Sequence, residues 1–110
     1  MLRSTLAILF TGALVSPLAT AAPPQEYAVM INNHRFEPAE IIVPAGQKIK
    51  LVVDNRDATP EEFESHVMNR EKVIPGRSKA SIWIGPLKPG SYDFVGEYHE
   101  DTARGKVIAK

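Results

Sequence analysis

Short apolar segments separated by turn residues are the feature that most constrains the fold of this 110-residue chain. Seven such segments occupy residues 27–31, 40–43, 48–53, 63–68, 80–84, 92–95 and 106–109. Apolar and polar side chains alternate in several of them, as expected for half-buried strands. Proline and glycine lie between the segments, and no stretch has the 3.6-residue apolar spacing of a long helix. The pattern predicts an all-β antiparallel sandwich or barrel of about seven strands.

The first 21 residues predict a secretory signal peptide. Arg3 precedes an apolar run at residues 6–15, which is too short to span a bilayer. Ala19 and Ala21 then place small side chains where a signal peptidase cuts. An N-terminal membrane anchor is the alternative interpretation. We expect cleavage after Ala21, which leaves residues 22–110 as one exported domain with no stable membrane anchor.

The composition excludes several classes of function. The chain has no cysteine, which excludes a thiolate ligand, a catalytic cysteine and a cysteine zinc site. The formal net charge is zero and no basic run is present, so we expect no nucleic-acid partner. Neither a serine–histidine–aspartate order nor a glycine-rich phosphate loop is found, which gives no support to hydrolase or transferase activity.

Two polar segments and one further histidine are candidates for binding a metal. In a strand over residues 61–66, Glu62, Glu64 and His66 would share one face, while Phe63 and Ser65 would take the other. Two carboxylates and an imidazole on one face could hold a metal ion. The alternative is a solvated strand face beside a buried Phe63.

The second segment, residues 97–101, contains Glu97, His99 and Asp101 in a predicted loop after a strand. Loops at the end of a sandwich suit ligands because the sheets hold them rigidly. Imidazole suits copper, iron, nickel and zinc, whereas carboxylates favour harder ions and iron. A simple polar loop is the alternative. His34 lies at a predicted turn and matters only if the fold brings it near the other segments.

The order and spacing of several short motifs resemble those of small cupredoxins across residues 27–110. The motifs are Phe-Glu-Pro at 36–38, Ile-Val-Pro-Ala-Gly at 42–46, Leu-Val-Val-Asp-Asn at 51–55 and Gly-Ser-Tyr-Asp-Phe at 90–94. This resemblance implies a Greek-key β-sandwich. In the blue-copper pattern, Gly96 stands at the cysteine position, His99 at the histidine position, and Ala103 or Arg104 near the axial methionine position. The upstream histidine position falls within residues 61–66. A blue copper–thiolate centre is therefore excluded.

The chain is more similar to a cysteine-free branch of cupredoxins, which resembles the small periplasmic cupredoxins associated with Ftr-type iron permeases and the cupredoxin domain of EfeO-type proteins. The EfeO-type domain has cysteines near the positions of Phe36 and Gly96, which this chain lacks. Residues 61–65, 70–76 and 96–101 carry this resemblance. It implies a periplasmic protein that binds copper and/or iron and assists Fe(II) oxidation or delivery in ferrous iron uptake. Its expected partners are an iron permease or other periplasmic iron-uptake proteins. The expected ligands are Glu64, Glu97 and His99, with Glu62, Asp101 or His34 completing the site.

A metal-independent docking module for a membrane permease is the alternative function. Trp83 or Tyr98 would then be aromatic anchors, since aromatic residues are common interface hot spots. Whether the protein is a ferroxidase component or only binds metal stays open, and so does a homodimer that shares a site across its interface.

Overall fold

A computed structural model describes residues 7–8, 11–13 and 25–110 of the chain. The predicted signal peptide, residues 1–21, lies mostly outside the described residues and stays a prediction. Within the part of the chain that the structure describes, no helix has the length and apolar character that crossing a membrane requires.

The described chain is all-β, as predicted, but it has nine strands rather than about seven. They are β1 (Glu26–Asn32), β2 (Arg35–Glu37), β3 (Glu40–Val43), β4 (Ile49–Asn55), β5 (Glu61–Ser65), β6 (Arg70–Ile74), β7 (Ser78–Ile84), β8 (Gly90–Gly96) and β9 (Arg104–Ala109). A short 3-10 helix (Glu97–His99) follows β8. The two additional strands are β2 and β6. β2 has only three residues, which are too few for alternation to mark a strand in sequence, and β6 is exposed at four of its five positions and shows no apolar alternation.

The strands form two sheets, with the orders β2-β1-β4-β7 and β3-β9-β8-β5-β6. Most neighbouring pairs are antiparallel, as expected, but β1 with β4 and β3 with β9 are parallel. Parallel neighbours need a crossover connection. Here β2 and β3 form part of the connection between β1 and β4, with β3 lying in the opposite sheet. The chain therefore returns to β1 in the same direction without a crossover helix.

Three phenylalanine side chains pack together in the core beneath one end of the sandwich. The ring centroids of Phe63 and Phe94 are 4.8 Å apart, and those of Phe36 and Phe94 are 4.9 Å apart. Such aromatic pairs contribute about 0.5–1.5 kcal/mol beyond the area they bury. The three rings come from β2, β5 and β8, so one cluster fixes the relative positions of these three strands. The candidate site lies at the adjoining ends of the same strands.

Candidate metal centre

His34 lies in the tight turn between β1 and β2. The register pairs Asn32 with Arg35, which leaves Asn33 and His34 as a two-residue turn with φ angles of 51° and 56°. Positive φ at both positions defines a type I′ turn, which matches the twist of the flanking strands. Two residues after His34, the side chain of Phe36 is buried in the core. The short hairpin therefore holds His34 close to the end of the sandwich.

Asp57 fixes this turn from the loop after β4. Its carboxylate accepts hydrogen bonds from the backbone N–H groups of Asn33 and His34, at 2.8 and 3.0 Å. Burial raises the pKa of Asp57, but those two hydrogen bonds and the imidazoles of His34 and His99 outweigh it and lower the pKa below its ordinary value. The His34 Nδ1 atom lies 3.4 Å from Asp57 Oδ2. A stable carboxylate thus orients both the backbone and the ring of His34.

Glu61 is the first residue of β5, and its side chain points inward. The burial of β5 alternates, with Glu61, Phe63 and Ser65 buried. A buried carboxylate is costly unless its oxygens have partners. Glu61 Oε1 accepts hydrogen bonds from the backbone N–H groups of Glu62 and Tyr98, at 3.0 and 2.9 Å, and Oε2 lies 2.6 Å from His99 Nδ1. Both oxygens are therefore partnered in the interior.

His99 is carried by the loop between β8 and β9. The loop is closed by a hydrogen bond from Gly96 N to Ala103 O, 2.8 Å long, and by the N–H groups of Thr102 and Ala103, which both donate to His99 O. The Thr102 hydroxyl donates to His34 O at 2.6 Å. This bond ties the His99 loop to the β1–β2 turn and brings the two histidines together.

His34, Glu61 and His99 form one group, called the histidine–glutamate group below, with the composition of a metal site. Their potential ligand atoms all lie within 4.8 Å of one another. Ligands of one ion at about 2.0–2.2 Å lie at most about 4.4 Å apart, so the group is close to the spacing that one ion requires. The two imidazole rings are stacked, with centroids 3.5 Å apart. The Glu61 side chain is only 2% exposed, while those of His99 and His34 are 29% and 41% exposed. An ion arriving from solvent would meet the imidazoles first and the carboxylate beneath them.

A second acidic group lies on the outer face of the five-stranded sheet. Glu62, Glu71 and Glu97 place carboxylate oxygens within 4.8 Å of one another, and all three residues reach the surface. Hydrogen bonding to Glu71, with desolvation and the charge of Glu97, raises the pKa of Glu62 to about 7. Hydrogen bonding to Glu97, with desolvation and the charge of that carboxylate, likewise raises the pKa of Glu64. This group, with Glu64, is called the surface carboxylate group below.

The structure divides the predicted ligands between the two groups. His34 and His99 lie together in the histidine–glutamate group, and Glu62 and Glu97 lie in the surface carboxylate group. Glu64 lies beside Glu97 and 3.3 Å from His66 Nε2. Asp101 is exposed in the β8–β9 loop and belongs to neither group among the described residues. Which of these residues bind metal stays a prediction.

Sequence reasoning missed Glu61, although the sequence contained a signal for it. Glu61 lies two residues before Phe63, and strand side chains at that spacing point to the same face. The predicted strand over residues 61–66 offers only the face of Glu62, Glu64 and His66 as ligands, and Glu61 is not assigned to the opposite, core face. In the structure β5 begins at Glu61, so a carboxylate lies on the core face at the end of the sandwich.

The residues of the histidine–glutamate group fit a copper or iron ion and do not fit a thiolate centre. Two imidazoles and one carboxylate suit Cu(II), and the same set is the facial triad of non-haem Fe(II) proteins. The chain has no cysteine, so the two-histidine, one-cysteine set of blue copper proteins cannot form.

Solved copper proteins share the architecture of this chain. Auracyanin A, a "blue" copper protein from Chloroflexus aurantiacus, superimposes with a TM-score of 0.69 at 13% identity, covering 80% of this chain and 100% of auracyanin A. A copper binding protein solved by NMR in its apo form gives a TM-score of 0.71 at 18% identity, covering 83% and 92% of the two chains. These similarities show the fold.

A sequence relative and a family model complete the comparison. The protein RP394 of Rickettsia prowazekii (strain Madrid E), which bears the name uncharacterized protein, is 43% identical over 83 residues, covering 76% of this chain and 66% of RP394. The chain thus spans slightly less than two thirds of that relative's length. The model of the cupredoxin-like domain matches residues 5–109. Proteins with the cupredoxin fold typically bind copper. This chain belongs to the cupredoxin-like domain family.

Proposed function

We propose that this protein binds a single copper or iron ion through His34, Glu61 and His99 and assists Fe(II) oxidation or delivery during ferrous iron uptake. The observation that carries the proposal is the convergence of the three side chains. They come from three separate parts of the chain, and their ligand atoms lie within 4.8 Å of one another. Two backbone N–H groups hold the Glu61 carboxylate, as hydrogen bonds commonly hold metal ligands in proteins. Backbone hydrogen bonds to Asp57 and Thr102 fix the turn that carries His34.

The chemistry of the three side chains supports this choice of ions. Imidazole nitrogen suits both copper and iron, and a carboxylate stabilises the harder, more highly charged Fe(III) relative to Fe(II). A bound copper or iron ion would supply one-electron redox chemistry. The protein's contribution is to hold the Glu61 carboxylate by two backbone N–H groups and to leave the imidazole edges accessible to solvent.

The place of action and the partners are part of the same proposal. The predicted signal peptide supports export to the periplasm, and the resemblance to cupredoxins associated with iron permeases supports such a permease, or another periplasmic iron-uptake protein, as partner. Binding of Fe(II) by a permease in membranes, measured with and without the added protein, tests this part separately from metal binding.

The test of the metal site is a titration of the metal-free protein, without its signal peptide, with Cu(II) and with anaerobic Fe(II). Calorimetry gives affinity, and thermal unfolding reports stabilisation of the folded state by bound metal. We expect saturable binding of one ion per chain in the parent and its loss in His34→Ala and His99→Ala. His66→Ala is the matched control, because the His66 side chain is 91% exposed and lies outside the group.

The outcomes separate the alternatives. Equal weakening in the His66 variant would show nonspecific imidazole binding and contradict the assignment. Loss of binding in Glu64→Gln or Glu97→Gln, with His34→Ala and His99→Ala unaffected, would move the site to the surface carboxylate group. Binding no tighter than about millimolar, or ~4 kcal/mol, in the parent would contradict the metal function itself.

A metal-independent docking module is the second candidate, and the exposed aromatic side chain beside the site favours it. Tyr98 is 50% exposed and precedes His99 directly. Trp83, the other predicted anchor, is partly covered by Lys48 and Lys50, whose Nζ atoms lie 5.2 and 5.9 Å from its ring centroid. Capture of a permease by the metal-free protein, abolished by Tyr98→Ala and retained in His34→Ala, would favour this function.

A further inference from the structure

Gly96 lacks a side chain at a place where one would collide with Glu61. A Cβ atom at position 96 would lie 2.7 Å from Glu61 Cδ, 2.9 Å from Glu61 Oε1 and 2.7 Å from Ala103 Cβ. Contacts below 3.0 Å are essentially never seen for real Cβ atoms. The Glu61 carboxylate therefore occupies the space that a side chain of residue 96 would need.

The backbone does not require glycine at this position. Gly96 has φ −90° and ψ 106°, an extended conformation that any L-residue adopts. Glycine is often retained for positive φ, but Gly96 has no such constraint. The remaining physical reason for glycine is the space that it leaves.

Neither neighbour can easily withdraw from a new side chain. The Glu61 carboxylate is held by the N–H groups of Glu62 and Tyr98 and by His99. Ala103 is fully buried, and its carbonyl accepts the hydrogen bond from Gly96 N. Movement of Glu61 would break the contacts that place its oxygen beside His99.

We propose that Gly96 is the specificity-determining residue of the site, because it leaves the anionic ligand position to the Glu61 carboxylate instead of to a side chain of its own. The inference rests on the proposed metal site. It adds the residue that determines whether a carboxylate or another kind of side chain completes that site. Residues 61 and 96 compete for one position beside His99. A carboxylate there favours Cu(II) and iron, whereas a thiolate would complete the set of a blue copper protein with the two imidazoles.

A double-mutant cycle tests the shared space without any metal. Thermal and urea unfolding would be measured for Gly96→Ala, Glu61→Ala and the double variant. We expect Gly96→Ala to lower the unfolding midpoint strongly in the parent and less in the Glu61→Ala background, where only the overlap with Ala103 remains. Gly105→Ala is the matched control, because the atoms nearest to its Cβ would belong to Phe94, at 2.5 Å, and Ala39, at 2.9 Å. The loss caused by Gly105→Ala should be the same in both backgrounds.

Metal binding tests the ligand position. Gly96→Ala should weaken Cu(II) binding by about 10- to 100-fold, the range found when support of a ligand is removed. Gly96→Cys alone should not acquire the intense visible charge-transfer absorption of a copper–thiolate bond, because Glu61 fills the space. Gly96→Cys/Glu61→Ala should acquire it on addition of Cu(II). If the double variant is unfolded, Ala103→Gly removes the second overlap and repeats the test.

Several results would overturn the inference. One is a Gly96→Ala variant that binds Cu(II) as tightly as the parent, and another is thiolate absorption in Gly96→Cys while Glu61 is present. A folded Gly96→Cys/Glu61→Ala protein without that absorption would do the same. If the parent binds no metal, the proposed function fails, and an additive unfolding cycle would then separately contradict the shared space.

Discussion

Glu61 and Glu62 are adjacent in β5, yet their carboxylates lie in opposite environments. Glu61 points into the sandwich and has hydrogen-bonding partners at both oxygens. Glu62 points to the outer face, where Glu71 and Glu97 raise its pKa to about 7. The buried carboxylate is surrounded by donors and the exposed one by other acids. The identity of the neighbours, more than depth below the surface, sets how each carboxylate is used.

The same difference applies to the two groups as wholes. The histidine–glutamate group combines three side chains whose backbones are tied by Asp57, Thr102 and the closed loop of His99. The surface carboxylate group consists of like charges on the face of a sheet, including Glu64 directly opposite Glu71. Like charges directly opposite one another destabilise a strand pair. The histidine–glutamate group is therefore preorganised by hydrogen bonds, whereas the carboxylates of the surface carboxylate group repel one another.

The largest expected effect follows removal of Glu61. Glu61→Ala leaves the N–H groups of Glu62 and Tyr98 without their acceptor, which should cost about 1.5–3 kcal/mol per lost hydrogen bond to the charged carboxylate in the free energy of unfolding. It should also abolish Cu(II) binding. Glu64→Ala is the control on the same strand and should cost neither stability nor affinity, since it relieves repulsion. Urea unfolding and calorimetry measure both quantities. Equal losses of stability and Cu(II) affinity in the two variants would contradict the distinction between the histidine–glutamate group and the surface carboxylate group.

A smaller effect is expected when the support of His34 is removed. Asp57→Ala deletes the acceptor of two backbone hydrogen bonds and should lower the free energy of unfolding by about 1–3 kcal/mol. Metal affinity should fall by about tenfold, as for other residues that orient ligands. Asp54→Ala is the matched control, because Asp54 pairs only with the exposed Arg56 side chain among the described residues. Full affinity in Asp57→Ala would show that the turn holds His34 unaided.

The pH dependence of the metal-free protein should reveal the surface carboxylate group. The folded pKa of Glu62, about 7, lies above its ordinary value of 4.5, so the folded state binds more protons than the unfolded state between those values. Its contribution to stability therefore falls as pH rises through this window. Glu62→Gln should raise the melting temperature at pH 8 and leave it unchanged at pH 4. An equal shift at both values would contradict repulsion as the cause.

The smallest effect is expected at Asp101. This predicted ligand is exposed and belongs to neither group among the described residues. Asp101→Asn should leave Cu(II) affinity unchanged and alter the free energy of unfolding by no more than about 0.5 kcal/mol, as is usual for a surface substitution. A marked loss of affinity, measured by calorimetry, would mean that the β8–β9 loop rearranges to bring Asp101 to the metal.

Much of the sandwich could be predicted because its signals are local. Alternation in β4 and β7 follows from side chains pointing to opposite faces, and proline and glycine mark the turns between strands. The short β2 and the exposed edge strand β6 could not be found in this way. β2 pairs with β1 in a tight hairpin, and β6 pairs with β5 at the edge of its sheet. Their strand structure depends on partners rather than on their own apolar pattern.

The candidate site, like the sandwich, was predictable from the sequence only in part. The sequence by itself determined the available ligand types, the absence of a thiolate and the placement of His99 in a loop at the end of a strand. Only the tertiary structure decided that His34 lies against His99, that Glu61 rather than Glu62 or Glu64 lies beneath them, and that Gly96 leaves the space for it. Ligand chemistry is a property of single residues. Convergence depends on contacts between residues far apart in the chain, such as the bond from Thr102 to His34.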